Sequence, residues 1–339
     1  MLHIFTILNY IIYVYARKGL IRMKKLFILT VLMFGIVLIG CANNKNDQIT
    51  ILAPEGTPAF SQILMEYNAT TDEDYPYTVE RVAGPQILSS AFLHKSNDNN
   101  YDIIIAPVNL GANLISKGAE YKLAAVVTWG NLQLLSTQPI ADLEAIKNKE
   151  IIAFGNGSIP QMILNSILSD FDDTYDFDVQ YIASNVQESF MHLMRDPNVI
   201  VLTAEPITTR ANDLIDELFV FDLADYWTEE MNLPLFPQAG VFVSNTLKAS
   251  DIENYLFELQ MHIDYINNNP ASAALKTEAL DYTFEIQLVE KSIPMSKIHF
   301  KTTDDAYETL SAFFELIYAF NPDLIGGHMP KESFYYRQP

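Results

Sequence analysis

One stretch constrains the fold more than any other, residues 101–118, with the sequence YDIIIAPVNLGANLISKG. Its apolar, β-branched run at residues 103–106 is typical of a strand that is buried on both faces. The segment Pro107-Val108-Asn109 ends that strand, and residues 111–117 have the spacing of a short helix. Ligands of open α/β sheets bind just past the carboxyl ends of strands. The amide of Asn109, which can both donate and accept hydrogen bonds, is therefore expected in a ligand site.

The same order of strand, polar loop and helix recurs along the chain. Strands are predicted at residues 48–53, 77–82, 103–106, 122–129, 132–136, 150–154, 178–182, 199–204 and 241–244. Helices are predicted at residues 59–67, 86–95, 111–117, 142–147, 160–169, 186–195, 206–218, 252–268, 271–280, 284–291 and 304–320. Strands that alternate with helices of this length favour βαβ units and mostly parallel sheets. The predicted class is therefore α/β, and a chain of 339 residues has room for about two domains.

The only cysteine, Cys41, ends a leader that has the layout of a secretory signal. Met23-Lys24-Lys25 is a short positive start, and residues 26–39 form an uncharged apolar run. The last four residues of the leader, Leu38-Ile39-Gly40-Cys41, resemble a bacterial lipobox. That likeness implies cleavage before Cys41, lipidation of its thiol and a place on the outer face of the cytoplasmic membrane. A transmembrane helix is the alternative, but the run is shorter than the roughly 20 residues that a span needs.

The segments on either side of this signal complete the predicted leader. Residues 41–48 are expected to form a polar tether, held at the membrane by several acyl chains. Residues 1–22 contain a second apolar stretch, and Met23 would be a natural start. We therefore expect that residues 1–22 are an over-extended start, with a genuine additional membrane segment as the alternative.

The charge of the chain excludes one class of partner. Residues 1–40 contribute five basic residues and no acidic one, so the formal charge of −21 for the whole chain becomes −26 for the rest. Such a body repels the phosphates of nucleic acids, and no cluster of lysine and arginine offers them a footprint. Nucleic-acid binding is therefore not expected.

Metal, cofactor and catalytic chemistry have little support in the sequence. The six histidines lack ligand spacing, and there is no second cysteine. The acidic run at residues 170–178, DFDDTYDFD, has Tyr175 where a calcium loop of the EF-hand type needs glycine and Tyr181 where it needs glutamate. No G-x-S-x-G motif is present. We expect no metal, no cofactor and no enzymatic activity.

The segment Gly155-Asn156-Gly157-Ser158-Ile159-Pro160 is the best local candidate for a ligand contact. Two glycines follow a predicted strand, and proline suits the first turn of the next helix. Free N–H groups at this helix start, together with the Ser158 hydroxyl, would hold a carboxylate, sulfonate or phosphate. A tight strand-to-helix turn with nothing bound explains the residues equally well.

Taken in order, several motifs resemble those of the substrate-binding lipoproteins of bacterial ABC importers, in the group for nitrate, sulfonates and thiamine precursors. The likeness covers residues 49–325 together with the lipobox. The motifs are Ala83-Gly84-Pro85, Tyr101-Asp102, Ala106-Pro107, Glu205-Pro206, Phe236-Pro237-Gln238-Ala239-Gly240 and Asn267-Asn268-Asn269-Pro270.

The resemblance implies the two-lobed type II fold of periplasmic binding proteins. Each lobe is then a mostly parallel sheet flanked by helices, and two crossover segments join the lobes. On this chain lobe one would comprise residues 49–133 plus 242–339, and lobe two residues 134–241. The crossovers would lie near residues 132–136 and 238–244. The ligand would sit between the lobes, which close around it by a hinge motion.

Ten residues in the loops of this layout are candidate ligand contacts. Trp129 would stack on a planar ligand, or else belong to the core. Glu205 would pair with an amine of the ligand, or else cap its own helix. The candidates are Thr57, Phe60, Gly84, Asn109, Thr128 and Trp129 from lobe one, Asn156, Ser158 and Glu205 from lobe two, and Gln238 at the hinge.

The function that the resemblance implies is that of a lipid-anchored receptor. A monomer would capture a small molecule (a heteroaromatic precursor, a sulfonate or a carboxylate) and deliver it to an ABC permease. One alternative is an exported enzyme that uses the carboxylate of Glu205 as a base. A second alternative is a sensory or adhesion module that takes no part in transport.

Overall fold

The computed structural model describes residues 48–93 and 101–337. Within these residues no helix combines the length and the apolar character that crossing a membrane requires. The predicted signal, the lipidation site at Cys41 and the predicted tether up to residue 47 lie outside the described residues.

Strands and helices alternate through most of this part of the chain. The strands are β1 Ile49–Pro54, β2 Tyr77–Val82, β3 Ile103–Pro107, β4 Tyr121–Trp129, β5 Gln133–Ser136, β6 Ile151–Phe154, β7 Val179–Ala183, β8 Ile200–Thr203, β9 Phe219–Asp222, β10 Pro237–Ser244 and β11 Ile298–Thr302. The helices are α1 Thr57–Phe60, α2 Ile63–Thr71, α3 Pro85–Leu93, α4 Val108–Ser116, α5 Ile159–Phe171, α6 Val186–Arg195, α7 Ile207–Leu214, α8 Leu223–Glu229, α9 Ala249–Asn268, α10 Pro270–Lys276, α11 Ile286–Ser292 and α12 Tyr307–Phe320.

Six of these strands form one sheet, in the order β11-β4-β10-β3-β1-β2. On one side, β1 pairs in parallel with β2 and β3, and Ile51 lies opposite Ile103. On the other side, β10 runs antiparallel to both β3 and β4. The isoleucines of β3 are fully buried, as expected for a strand covered on both faces.

The other five strands form a second sheet, in the order β7-β6-β8-β5-β9. Here β6 pairs in parallel with β7 and β8, while β5 runs antiparallel to β8 and β9. The chain leaves the six-stranded sheet after Trp129 and enters the five-stranded sheet at Gln133. It returns to the six-stranded sheet at Pro237.

The predicted α/β class with two helix-flanked sheets is confirmed. Four of the six strands in one sheet and four of the five in the other run in the same direction, and the remaining strands run antiparallel to them. A parallel partner requires a long crossover connection, usually a helix. Strands β5 and β10 instead arrive directly from the other sheet, so no crossover within their own sheet sets their direction. Both run antiparallel to their neighbours.

Two strands and a helix were missed by the sequence prediction: β9, α8 and β11. Both strands lie at the edge of their sheet. Their residues alternate or are only partly buried, for example Ile298 buried and His299 exposed in β11. A half-exposed edge strand lacks the continuous apolar run from which the buried strands were predicted.

The helix after β3 starts earlier than predicted, which corrects the position of Asn109. It begins at Val108, so Asn109 lies in the first turn of α4 and not in a loop. This helix packs closely on the sheet because Gly111 has no side chain. A Cβ atom at that position would stand 2.0 Å from Cζ of Phe242, a residue of β10.

Candidate functional site

A buried polar cluster lies where the chain passes from the six-stranded to the five-stranded sheet. Its centre is Asn131, which is 4% exposed. The Asn131 side-chain amide donates to Thr57 Oγ1 over 3.1 Å and to the carbonyl of Glu205 over 3.3 Å. Its Oδ1 accepts from the backbone N–H of Glu205 over 2.8 Å. The amide of Asn131 therefore has partners for both of its donor hydrogens and for its oxygen.

The same contacts join the two sheets. Thr57 opens α1, just past the end of β1, and its hydroxyl also donates to the carbonyl of Glu205 over 3.1 Å. Glu205 follows β8 in the other sheet. Gln238, at the start of β10, donates from Nε2 to the carbonyl of Asn131 over 3.4 Å. We call Thr57, Asn131, Glu205 and Gln238 the hinge cluster.

The carboxyl group of Glu205 is the main titratable group of this cluster, and the residue is 6% exposed. Its Oε2 accepts from the backbone N–H of Thr209 over 3.2 Å, so it caps the start of α7. The pKa of Glu205 is raised to about 7, chiefly by burial and to a smaller extent by the nearby carboxylate of Asp222, while the hydrogen bonds from Thr209 oppose the shift. Glu205 therefore caps its own helix, which was one of the two roles expected for it. Its contact with an amine of the ligand stays a prediction.

Buried polar groups continue from the hinge cluster into the five-stranded sheet. Thr208, on α7, donates from its hydroxyl to Gln133 Oε1 over 3.0 Å. Thr203 pairs with Gln133 across β8 and β5. The hydroxyl oxygen of Thr203 is buried and has no hydrogen-bond partner among the described residues.

Three lobe-one candidates contact protein groups rather than open space. Phe60 is fully buried and packs against Tyr282 and Phe284, with ring centroids 6.4 and 6.2 Å away. Trp129 is 2% exposed and donates from Nε1 to the carbonyl of His299 over 2.8 Å. The hydroxyl of Thr128 accepts from the N–H of Ala239 over 3.0 Å and ties β4 to β10. The structure thus favours the core alternative for Trp129.

The turn after β6 uses several of its polar groups internally. Gly155 and Gly157 have φ angles of 81° and 69°, which other residues adopt only with strain. The Ser158 hydroxyl donates to the carbonyl of Gly155 over 2.6 Å, and the N–H of Gly157 donates to Gln161 Oε1 over 2.6 Å. This arrangement favours the simple strand-to-helix turn over an anion site. Asn156 is exposed on the turn.

Gly84 and Asn109 lie past the ends of β2 and β3, on the parallel side of the six-stranded sheet. Both are half-buried. Within the described parts of the chain, no hydrogen bond links either residue to the hinge cluster. Their predicted contact with a ligand stays a prediction.

Asn131 is the residue that sequence reasoning missed. It lies between the strands predicted at residues 122–129 and 132–136, where no ligand contact is predicted. The available signal was a polar residue directly after Gly130 with apolar strands on both sides. Gly130 has a φ of 27°, and a Cβ atom there would stand 2.4 Å from Leu235 Cδ1, so only glycine fits this turn.

The acidic run at residues 170–178 is held by local contacts. Asp172 pairs with Lys147 over 2.9 Å and accepts from the N–H and hydroxyl of Thr174. These hydrogen bonds, led by that from Lys147, lower the pKa of Asp172 to about 2. Over residues 48–93 and 101–337, no group of three or more metal-ligating side chains is arranged to hold an ion.

Comparison with known proteins finds likeness at the level of structure. No family model and no curated protein matches this chain. An ABC transporter protein from Parabacteroides distasonis is 20% identical with a TM-score of 0.74, and the alignment covers 86% of this chain and 100% of that chain. The periplasmic aliphatic sulphonate-binding protein SsuA from Escherichia coli is 11% identical with a TM-score of 0.63, over 86% and 93% of the two chains.

A third neighbour is the ligand-binding component of an ABC-type import system from Staphylococcus aureus, solved with zinc bound. It is 12% identical with a TM-score of 0.60, over 80% of this chain and 91% of that chain. The chain therefore has the fold of the solute-binding proteins of ABC transporters. The neighbours include a sulphonate-binding protein, so the resemblance predicted from the motifs is confirmed at the level of the fold.

Proposed function

We propose that this chain is the extracytoplasmic solute-binding component of an ABC importer. Lobe one comprises residues 49–133 plus 242–339, and lobe two residues 134–241. A small organic ligand is captured between the lobes, which close on it by a hinge motion, and is passed to a membrane permease. Lipidation of Cys41 holds the protein on the outer face of the membrane.

The observation that carries this proposal is the hinge cluster. It bonds the loop after β8 in one sheet to the start of α1 in the other, through Asn131 on the segment that connects the sheets. Loops at the ends of parallel strands from two sheets meet there, as in the ligand sites of open α/β folds. A ligand that touches both loops favours the closed arrangement because it gains contacts there that the open form lacks.

Native mass spectrometry tests the capture of a solute. The full chain, purified in detergent straight from cells, should carry a small molecule that is released on denaturation. The mass of that molecule gives the ligand class. An empty protein that also shows no thermal stabilisation with any solute of a broad library would contradict the proposal.

The anchor has a separate test. Cys41→Ser should abolish incorporation of labelled fatty acid and move the protein from the membrane fraction to the soluble fraction. Continued labelling of the variant would contradict lipidation at this residue.

An exported enzyme is the second candidate, because the pKa of Glu205 near 7 suits a general base. In that case the bound small molecule would be converted during incubation with the protein. Recovery of the molecule unchanged, with the same mass and amount, would exclude this alternative.

A further inference from the structure

The loops past the parallel strand ends carry negative charge and no positive charge. These segments are residues 55–57, 83–84, 108–109, 155–158, 184–185 and 204–205. They contain the carboxylates Glu55 and Glu205 and no lysine, arginine or histidine. An anionic solute held at these loops would meet like charge.

The cations that lie on neighbouring elements have partners of their own. Arg81, on β2, pairs with Glu66 over 3.1 Å and lies over the ring of Tyr282 at 3.9 Å. Lys297 pairs with Asp222 over 2.8 Å and with Asp225 over 3.1 Å. Arg210, on α7, lies over the ring of Phe284, and Lys291 pairs with Asp213 over 2.6 Å. Recruiting one of these cations to an anionic solute would break an existing contact.

The turn best suited to an anion uses three of its donors internally, the N–H of Gly157 and the N–H and hydroxyl of Ser158. Binding of carboxylate, sulfonate or phosphate at a helix start depends on free N–H and hydroxyl groups. The Ser158 hydroxyl and the N–H of Gly157 donate within the turn itself. The six loop segments therefore contain no cation, and the turn at residues 155–158 directs part of its donors away from a bound anion.

The carboxylate of Glu205 lacks a positively charged partner within the described part of the chain. It is a buried carboxylate, and no cation of residues 48–93 or 101–337 forms an ion pair with it. Its hydrogen-bond donors come from Thr209, and the nearby charge of Asp222 is also negative. A buried carboxylate is costly unless a donor or a counter-charge compensates it. An N–H group of a solute is a strong partner for such a carboxylate.

We propose that the solute of this receptor is neutral or cationic, that it presents N–H donors to Glu205, and that the site discriminates against sulfonates and carboxylates. The inference rests on the proposed function and narrows its ligand class. It separates this chain from its structural neighbour SsuA, which is an aliphatic sulphonate-binding protein. The two chains share a fold, but the charges around Glu205 favour a neutral or cationic solute over a sulfonate.

A charge-matched panel tests the ligand class. The full chain in detergent is mixed at pH 7.5 with aliphatic amines, amidines and aminoheterocycles, each matched with the sulfonate and the carboxylate of the same carbon skeleton. We expect the melting temperature to rise only with nitrogen compounds. A rise with a sulfonate or carboxylate, but not with its matched amine, would overturn the class and leave the receptor function standing. No rise with any compound would count against the receptor function itself.

A pair of variants tests the role of Glu205 with the best nitrogen compound of that panel. Glu205→Gln keeps an acceptor for the N–H of Thr209 and removes one negative charge. Asp176→Asn removes the same charge at an exposed position on the acidic run. We expect at least a tenfold rise in Kd for Glu205→Gln, and a change within twofold for Asp176→Asn, by calorimetry. An unchanged Kd for Glu205→Gln, or equal effects of the two variants, would overturn the assignment.

Binding to the wild-type chain provides a measurement that does not depend on the variant folding. The affinity for an amidinium compound, whose own charge is constant, should rise at least threefold from pH 6 to pH 8 as Glu205 loses its proton. The other charged groups on the elements around Glu205 are Asp222, paired with Lys297, and Arg210 and Asp213 on α7, which Glu205 caps. An affinity that is flat or falls over this range would overturn the contact with Glu205.

Discussion

A single amide, that of Asn131, connects the beginning of α1 to the loop after β8. Its donors and its acceptor are all used, and the groups that it contacts on Thr57 and Glu205 are themselves buried. Removing one partner from a buried hydrogen bond leaves the other without compensation, which costs more than the bond itself contributes. The Thr57 hydroxyl also reaches the carbonyl of Glu205 directly, whereas the N–H of Glu205 depends on Asn131 for its hydrogen bond.

We predict that Asn131→Ala lowers the free energy of unfolding by about 1–3 kcal/mol, because it leaves the buried N–H of Glu205 without a partner. Urea unfolding at neutral pH measures the change. Asn254→Ala, at an exposed position of α9, is the control and should change the value by less than about 0.5 kcal/mol. Equal effects of the two substitutions would show that Asn131 is not a buried connector.

The raised pKa of Glu205 makes stability depend on pH. Because the folded state holds the proton more tightly than the unfolded state, the contribution of Glu205 is complete below its ordinary pKa of 4.5 and is lost as the pH rises through about 7. We expect the stability of the wild type to fall between pH 5 and pH 8 relative to Glu205→Gln, by on the order of 3 kcal/mol. Parallel pH profiles of unfolding for the two proteins would contradict this.

At the scale of elements, the position of α4 is set by its close approach to strand β10. The aromatic ring of Phe242 on β10 occupies the space where a side chain at Gly111 would begin. The first turn of this helix contains Asn109, a predicted ligand contact. A shift of α4 would therefore move that residue as well.

We predict that Gly111→Ala destabilises the protein by about 1–3 kcal/mol, although alanine favours helix formation, because overpacking against Phe242 outweighs the gain in helix propensity. The same substitution made in a Phe242→Leu background should cost less than in the wild type, since the smaller side chain leaves room. Thermal unfolding of the four proteins completes a double-mutant cycle. A coupling energy near zero would argue against the clash.

At the scale of the molecule, ion pairs and an apolar core both connect the regions around the two sheets. Lys297 lies just before β11 at the edge of the six-stranded sheet and pairs with Asp222, the last residue of β9 in the other sheet. Phe236 stacks on Phe313 of α12 with centroids 6.2 Å apart, and Trp227 of α8 packs against its edge. These contacts lie outside the hinge cluster and link the regions around the two sheets a second time.

We predict that Lys297→Ala broadens the distance distribution between the two sheets in the absence of ligand, because Asp222 and Asp225 lose their shared partner. Spin labels at Asp173→Cys and Asn254→Cys, both exposed positions, report this distance by pulsed electron resonance. Lys291→Ala is the matched control, since its pair with Asp213 is more exposed and is expected to contribute little. Equal broadening in both variants would contradict the special role of Lys297.

The sequence by itself determined the local elements of the core. Strand β2 and helix α6 begin and end at the predicted residues, because a short stretch rich in aromatic and β-branched residues and a helical repeat of apolar residues are local signals. The sequence also predicted the α/β class, and the order of its motifs showed the resemblance to solute-binding proteins. These properties depend on residues that are close together in the chain.

Only the tertiary structure decided which of the candidates meet. It brought Thr57, Glu205 and Gln238 together around Asn131 and placed Phe60 and Trp129 in the core. It also set the mixed direction of the sheets and the edge strands β9 and β11. Contacts of this kind join residues more than seventy positions apart, as between Thr57 and Asn131. Their presence depends on which strands pair and where the chain crosses between sheets, and no local pattern of residues encodes either choice.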